Sequence, residues 1–356
     1  MNKTITALLV AAAFSSSAHA ITVYQDDANS LSIGGRLGAI AKFEGDTTEL
    51  RGDSARINFV YGYQFQSGWA GVAVAEWGFN ELDVYNDDGT KTDLFYNRLG
   101  NVGLAHEQWG SFTLGKQWSA YFDVAGWTDK FTIGGAHALG VYDDGNISGT
   151  SRPDDAFIYR NTINNFNIAV QYQFEANNGE VTVENDQSRS TWHRESGHQL
   201  SLSYDFEAGL SLGMSYGKTI YKNAHDVEML LGAVKYSSDK LYLAAGYGQF
   251  ENLTNKAKAV GSEFDRESRG TELFAQYYAD DLLEGLSFLA GYNHLDVVRD
   301  ANNQSTDAEL INYMLGATYT AGPMLFGVEY TFNDSKDATG DANYDNVLEF
   351  NARYYF

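Results

Sequence analysis

Few side chains in this 356-residue chain are spaced for covalent chemistry. The histidines, His19, His106, His137, His193, His198, His225 and His294, form no arrangement with serine and aspartate of the kind a hydrolytic triad requires. His193 and His198 near Asp186 are the grouping that could hold a metal, but imidazoles on flexible loops rarely do. No metal site, cofactor or catalytic residue is therefore assigned. Asp123 and Asp129 lie on a connection, residues 117–155, far longer than a turn needs, and long connections in compact folds are usually functional. Folded inward, this segment would turn both carboxylates toward an enclosing wall. Trp118, Tyr121 and Trp127 on the same segment could line a track for sugars. Arg51-Gly52-Asp53-Ser54 spells an adhesion tripeptide, though both charged residues are expected to cap the strand that follows.

The elements that must carry these residues alternate with period two. Along residues 347–356, Leu348, Phe350, Ala352, Tyr354 and Phe356 share one face, and Glu349, Asn351, Arg353 and Tyr355 the other. Asn167, Ala169, Gln171 and Gln173 oppose Phe166, Ile168, Val170, Tyr172 and Phe174 in the same way. The alternation also places Arg36 and Arg56 on the polar face. Residues 95–106 and 272–279 break it. About 16 such strands start near residues 29, 54, 69, 92, 110, 156, 166, 197, 209, 227, 240, 270, 284, 308, 323 and 346. Their connections alternate short and long. The chain has too little all-apolar sequence for a sandwich core, so the fold expected is an all-β, transmembrane antiparallel β-barrel, with lipid outside and water within. A barrel of about 16 strands leaves an aqueous channel.

Composition fits this expectation. Lys3, an apolar run and Ala18-His19-Ala20 read as a cleaved signal peptide over residues 1–20, leaving the barrel as 21–356. The chain has no cysteine, only two prolines (Pro153 and Pro323) and 24 tyrosines, which suits a paired backbone with interfacial aromatic residues. The net charge of −23 argues against nucleic acid as a partner and suggests a lumen that favours cations.

Gly110, Ser111, Phe112, Gly115, Lys116 and Gln117, then Tyr121, Phe122 and Asp123, then Gly126, Trp127, Thr128 and Asp129, form an ungapped run. Ser151-Arg152 and Tyr159-Arg160-Asn161 follow it. Together they resemble the Gram-negative general-diffusion porins, the trimeric matrix-porin family, from the fifth strand through the constriction loop into the sixth. The resemblance extends over the mature chain and is clearest over residues 29–161 and the last strand.

It implies a passive outer-membrane channel for ions and small hydrophilic solutes. It also implies an inward-folded third loop whose acid Asp129, with Asp123, faces a wall ladder of Arg36, Arg56, Arg98 and Arg152. Facing rows of opposite charge filter by size and polarity. The implied partners are two further copies in a homotrimer, outer-membrane lipid and lipopolysaccharide, and the barrel-assembly machinery, which reads a terminal signature that Phe356 resembles. Lys116 matches a position that meets an acidic latching loop of the neighbouring subunit, and Asp87 or Asp88 could supply that acid. One departure is visible: the family's Pro-Glu-Phe-Gly-Gly tip reads Phe131-Thr132-Ile133-Gly134-Gly135 here. The loop should then carry less negative charge, and could sit wider or elsewhere. A sugar-specific channel or a surface adhesin is the alternative function, and no enzyme is expected.

Overall fold

The computed structural model describes residues 20–80, 82, 93–176, 181–185, 188–253, 265–341 and 344–356. The first half of the chain forms β1 (Ile21–Gln25), β2 (Asn29–Glu44), β3 (Thr47–Gly52), β4 (Arg56–Gln64), β5 (Ala70–Phe79), β6 (Phe95–His106) and β7 (Gly110–Lys116). A short helix, α1 (Phe122–Ala125), precedes β8 (Ala156–Ile163), β9 (Phe166–Gln173), β10 (Val181–Asn185) and β11 (Ser188–Trp192). The second half forms β12 (Arg194–Asp205), β13 (Leu210–Tyr221), β14 (Val227–Ser237), β15 (Leu241–Leu253) and β16 (Asp265–Tyr278). It ends with β17 (Leu286–Asp300), β18 (Glu309–Ala321), β19 (Met324–Asn333) and β20 (Val347–Tyr355).

Neighbouring strands pair antiparallel, and the sheet closes at β2. One edge of β2 bonds β4, with Arg36 opposite Arg56, and the other bonds β20, with Arg36 opposite Tyr355. β3 and β4 are two halves of one wall strand, broken at residues 53–55, because β3 pairs the upper part of β2 and β4 the lower. β1 continues the line of β20 along the same edge of β2. The 18-stranded hydrogen-bonded sheet is thus a closed barrel of 16 wall strands, as the sequence periodicity predicts.

The wall alternates as expected. Gln171, Gln173, Gln199 and Ser201 are buried on the inner face, whereas Val170, Tyr172, Leu200 and Tyr204 are exposed outside, where lipid would cover them. The two irregular stretches have separate causes. In β6 the register shifts opposite Glu76 and Trp77, whose partners are Leu99 and Asn97, so Arg98 is the extra residue of a bulge. Arg98 and Leu99 are both buried in consequence. In β16 an inward apolar residue masks the pattern: Phe274 packs edge-on against Phe131 at 5.1 Å, under the folded-in loop.

That loop, residues 117–155, fills one side of the bore. Tyr121, Val124, Leu139 and Ile147 pack against Met229, Leu231, Phe250 and Phe274 of the wall. Two connections differ from the sequence expectation. The connection expected before residue 54 instead carries the strand β3, reached by a tight turn at Gly45, whose φ is +53°. The connection after β9 carries the β10–β11 hairpin.

Candidate functional site

Opposite the loop, the wall presents a cluster of guanidiniums. The bulge in β6 directs Arg98 inward, where its Nε donates to Glu76 Oε1 at 2.7 Å. Arg56 reaches the same oxygen at 3.9 Å, and its Nε and terminal nitrogen donate to the Ser54 carbonyl (3.2 Å) and hydroxyl (2.8 Å). Arg36 donates to the same Ser54 carbonyl at 3.2 Å. The break between β3 and β4 therefore serves a purpose, because Ser54 (φ +50°) leaves the ladder and offers its carbonyl to two arginines. Arg152, at the end of the loop, lies 5.0 Å from the centre of the Trp118 ring. Among the described residues, neither Arg36 nor Arg152 has a carboxylate partner.

Most of the loop's six aspartates are turned to other tasks, Asp154 pairing with Lys116 and Asp155 with Arg194. Asp129 accepts one hydrogen bond, from the Tyr142 hydroxyl at 2.6 Å. Asp123 does not contribute a free charge. Arg160 donates to both its oxygens, at 2.8 and 3.1 Å, and to the carbonyls of Trp118 and Ser119. Asp123 thus fastens the root of the loop to β8.

Two wall glutamates, unremarked in the sequence, hold the rest of the loop. Glu329 accepts the backbone N–H groups of Thr132 (2.9 Å), Ile133 (3.1 Å) and Gly134 (2.8 Å), and the Thr132 hydroxyl. Glu272 accepts those of Ala138 (2.8 Å) and Leu139 (3.1 Å), and the Thr128 hydroxyl. The tip is thus seated without the missing proline and glutamate. Arg353 joins tip and wall: it donates to the Thr132 carbonyl at 2.8 Å and forms a bidentate pair with Asp53 at 2.6 and 2.9 Å. An inward-facing Arg353 was legible from alternation, but its role beside the ladder was not.

Other sequence expectations resolve as follows. Lys116 pairs within its own chain, with Asp154 at 2.9 Å. Asp87, Asp88 and Asp186 lie outside the described residues. Phe356 exchanges backbone hydrogen bonds with Gly35, at 2.9 and 3.1 Å. A Cβ on Gly35 would stand 2.6 Å from the Phe356 ring and 2.4 Å from the Arg56 carbonyl, so only glycine fits at this seam. The adhesion tripeptide is unavailable: Asp53 is buried against Arg353, and Arg51 bonds Glu349 at 2.7 Å rather than capping a strand. The aromatic track fails in the same way, because Tyr121 and Trp127 are buried in the loop's own core. His193 and Lys222 both bond Glu175, and these contacts, Lys222 first, hold its carboxyl down to about 2. His198 instead packs on Tyr172 at 5.2 Å.

The family model for Gram-negative porins matches residues 7–356. Outer membrane porin N of Escherichia coli (strain K12) is 28% identical over 391 residues, covering 100% of both chains. Among solved structures, Salmonella typhi OmpF in complex with daunomycin superposes with a TM-score of 0.74 at 21% identity, over 94% of this chain and 100% of that one. The trimer form of in-vitro folded OmpT, an outer membrane protein of Vibrio cholerae, gives 0.67 at 16% identity, over 93% and 100%. The chain belongs to the Gram-negative porin family: it is an outer-membrane barrel whose water-filled bore passes ions and small hydrophilic solutes by passive diffusion.

Proposed function

We propose that Arg36, Arg56, Arg98 and Arg353 on the wall, with Arg152 and Asp129 on the loop, form the selectivity-setting constriction, and that it favours anions. The observation that carries this reading is the pairing of these charges. Among the described residues, Glu76 and Asp53 pair with Arg98, Arg56 and Arg353, and Glu272 and Glu329 are taken up by N–H groups of the loop, whereas Arg36 and Arg152 have no carboxylate partner. The transverse field from wall to loop orients polar solutes and penalises apolar ones. Reversal potential in a planar bilayer under a KCl gradient tests it. Chloride preference is expected, and potassium preference of the open channel at high salt would overturn it.

The same reading includes export by cleavage after Ala20, and assembly through a machinery that reads Tyr354 and Phe356. It also includes lipopolysaccharide around the barrel and a homotrimer, whose conductance steps would come in threes. Structural likeness to a trimeric neighbour supports the last. No enzymatic role is proposed for the barrel.

A further inference from the structure

On the short-turn side of the constriction loop lies a cavity of about 580 Å³. It is bounded by the turn after β6, by α1, and by the inner faces of β8, β9, β12 and β14. Its volume is in the range that holds an organic ligand of one or two rings. Two cations line it, Lys130 and Lys235, and neither has a carboxylate partner among the described residues. Lys235 Nζ stands 4.5 Å from the centre of the Trp127 ring, and Lys130 Nζ stands 5.9 Å from that of Tyr242. Asp205 attracts Lys235 and Asp129 attracts Lys130 without forming an ion pair, and the nearby carboxylates have their hydrogen bonds elsewhere. Asp123 holds Arg160, Asp205 accepts Ser211 (2.6 Å) and Asn167 (2.8 Å), and Asp129 accepts Tyr142. Glu107 sits exposed at the turn. Beside the two ammonium groups, the part-exposed Phe122 supplies apolar ring surface, with the largely buried Trp127 behind Lys235.

A pair of lysines without ion-pair partners among the described residues, next to aromatic surface in a half-open cavity, matches a ligand with one anionic end and one flat apolar end. We infer that this vestibule is a binding site for small aromatic carboxylates, entered by solutes that have passed, or are about to pass, the constriction. The inference rests on the channel reading and adds a solute class to it. The carboxylate bridges Lys130 and Lys235, each contact being a charge-assisted hydrogen bond. The ring lies against Phe122.

The test is single-channel recording of the intact protein in KCl with 2-naphthoate as probe. Brief current interruptions are expected whose frequency rises with concentration, with acetate and the neutral 2-naphthylmethanol producing neither. Lys235→Gln and Lys130→Gln should each weaken the effect about tenfold, as the loss of one charge-assisted contact does. Lys130 is exposed and Lys235 half-buried over the Trp127 ring, and the open-channel conductance in KCl reports whether each variant still folds. Absence of interruptions in a conducting channel overturns the site but not the porin. Interruptions that survive both lysine variants and vanish in Arg98→Gln place the anion on the arginine ring, and also overturn it. Absence of conductance altogether would overturn the channel reading itself.

Discussion

Glu76 stands between Arg98 at 2.7 Å and Arg56 at 3.9 Å, and all three side chains are nearly inaccessible. Glu76→Gln keeps the shape and removes the charge. It should leave two buried guanidiniums without a counter-ion and cost about 1–3 kcal/mol of stability, toward the lower end because the bore is wet. Reversal potential should move toward chloride in this variant and toward potassium in Arg98→Gln. An unchanged potential in both would remove these groups from the ion path. How far such residues can be read from sequence depends on what reveals them. Arg36 and Arg56 follow from alternation, whereas the bulge hides Arg98 from it, and Arg98, Arg152 and Asp129 come through the motif. Glu76, Glu329 and Glu272 sit on strands and look like any other lumen carboxylate. The Asp53–Arg353 pair joins residues almost a chain length apart, so it exists only once β2 and β20 are in register.

At the level of elements, the strands were legible and the loop's seat was not. Period-two patterning locates most wall-strand starts within about three residues, missing only the beginnings of β3 and β16 by more, because lipid and water select opposite side chains on the two faces. The loop's seat is made by inward apolar residues such as Leu231 and Phe274, which erase that pattern where it matters. The loop's attachment then gives a prediction. Glu329→Ala removes the acceptor of three backbone N–H groups and one hydroxyl at the tip. Unsatisfied donors cost about 1–3 kcal/mol each where water cannot replace the partner. The tip should swing free, giving larger and noisier conductance with the barrel intact. A quiet, unchanged channel would show that the apolar core alone seats the loop. The turn between β1 and β2 offers a pH test. Tyr24, then the N–H groups of Asn29 and Ala28, hold the Asp26 carboxyl well below its usual 3.8. A depressed carboxylate stabilises the fold fully above the usual value, and that contribution fades as pH falls below it toward the folded value. Amide exchange at Ala28 and Asn29 should therefore speed up, relative to other turns, only below pH of about 4. No such change, or one that persists in Asp26→Asn, would dismiss the turn as an acid-sensitive point.

For the whole molecule, two charge distributions compete. The chain carries −23 overall, which by itself suggests a cation channel, yet the proposed constriction gathers five guanidiniums, two of them without a carboxylate partner among the described residues. The acidic residues crowd the rims instead: Glu44, Asp46, Asp300, Asp307, Asp337 and Asp341 all lie at or beyond strand ends on the long-connection side. Distance from the ion path separates the two sets, and salt changes how much distance matters. The screening length is about 30 Å at 0.01 M and about 3 Å at 1 M. In dilute salt the rims act across the whole mouth, enriching cations and opposing the arginines. In concentrated salt only charges lining the path are felt, and the guanidiniums prevail. Reversal potential at a fixed concentration ratio should therefore shift toward chloride as total KCl rises. A channel with one sign of fixed charge would instead lose selectivity steadily toward zero. A potassium preference that simply decays with salt would mean that the acidic background governs the path at every ionic strength, and that the arginines orient solutes without selecting among ions.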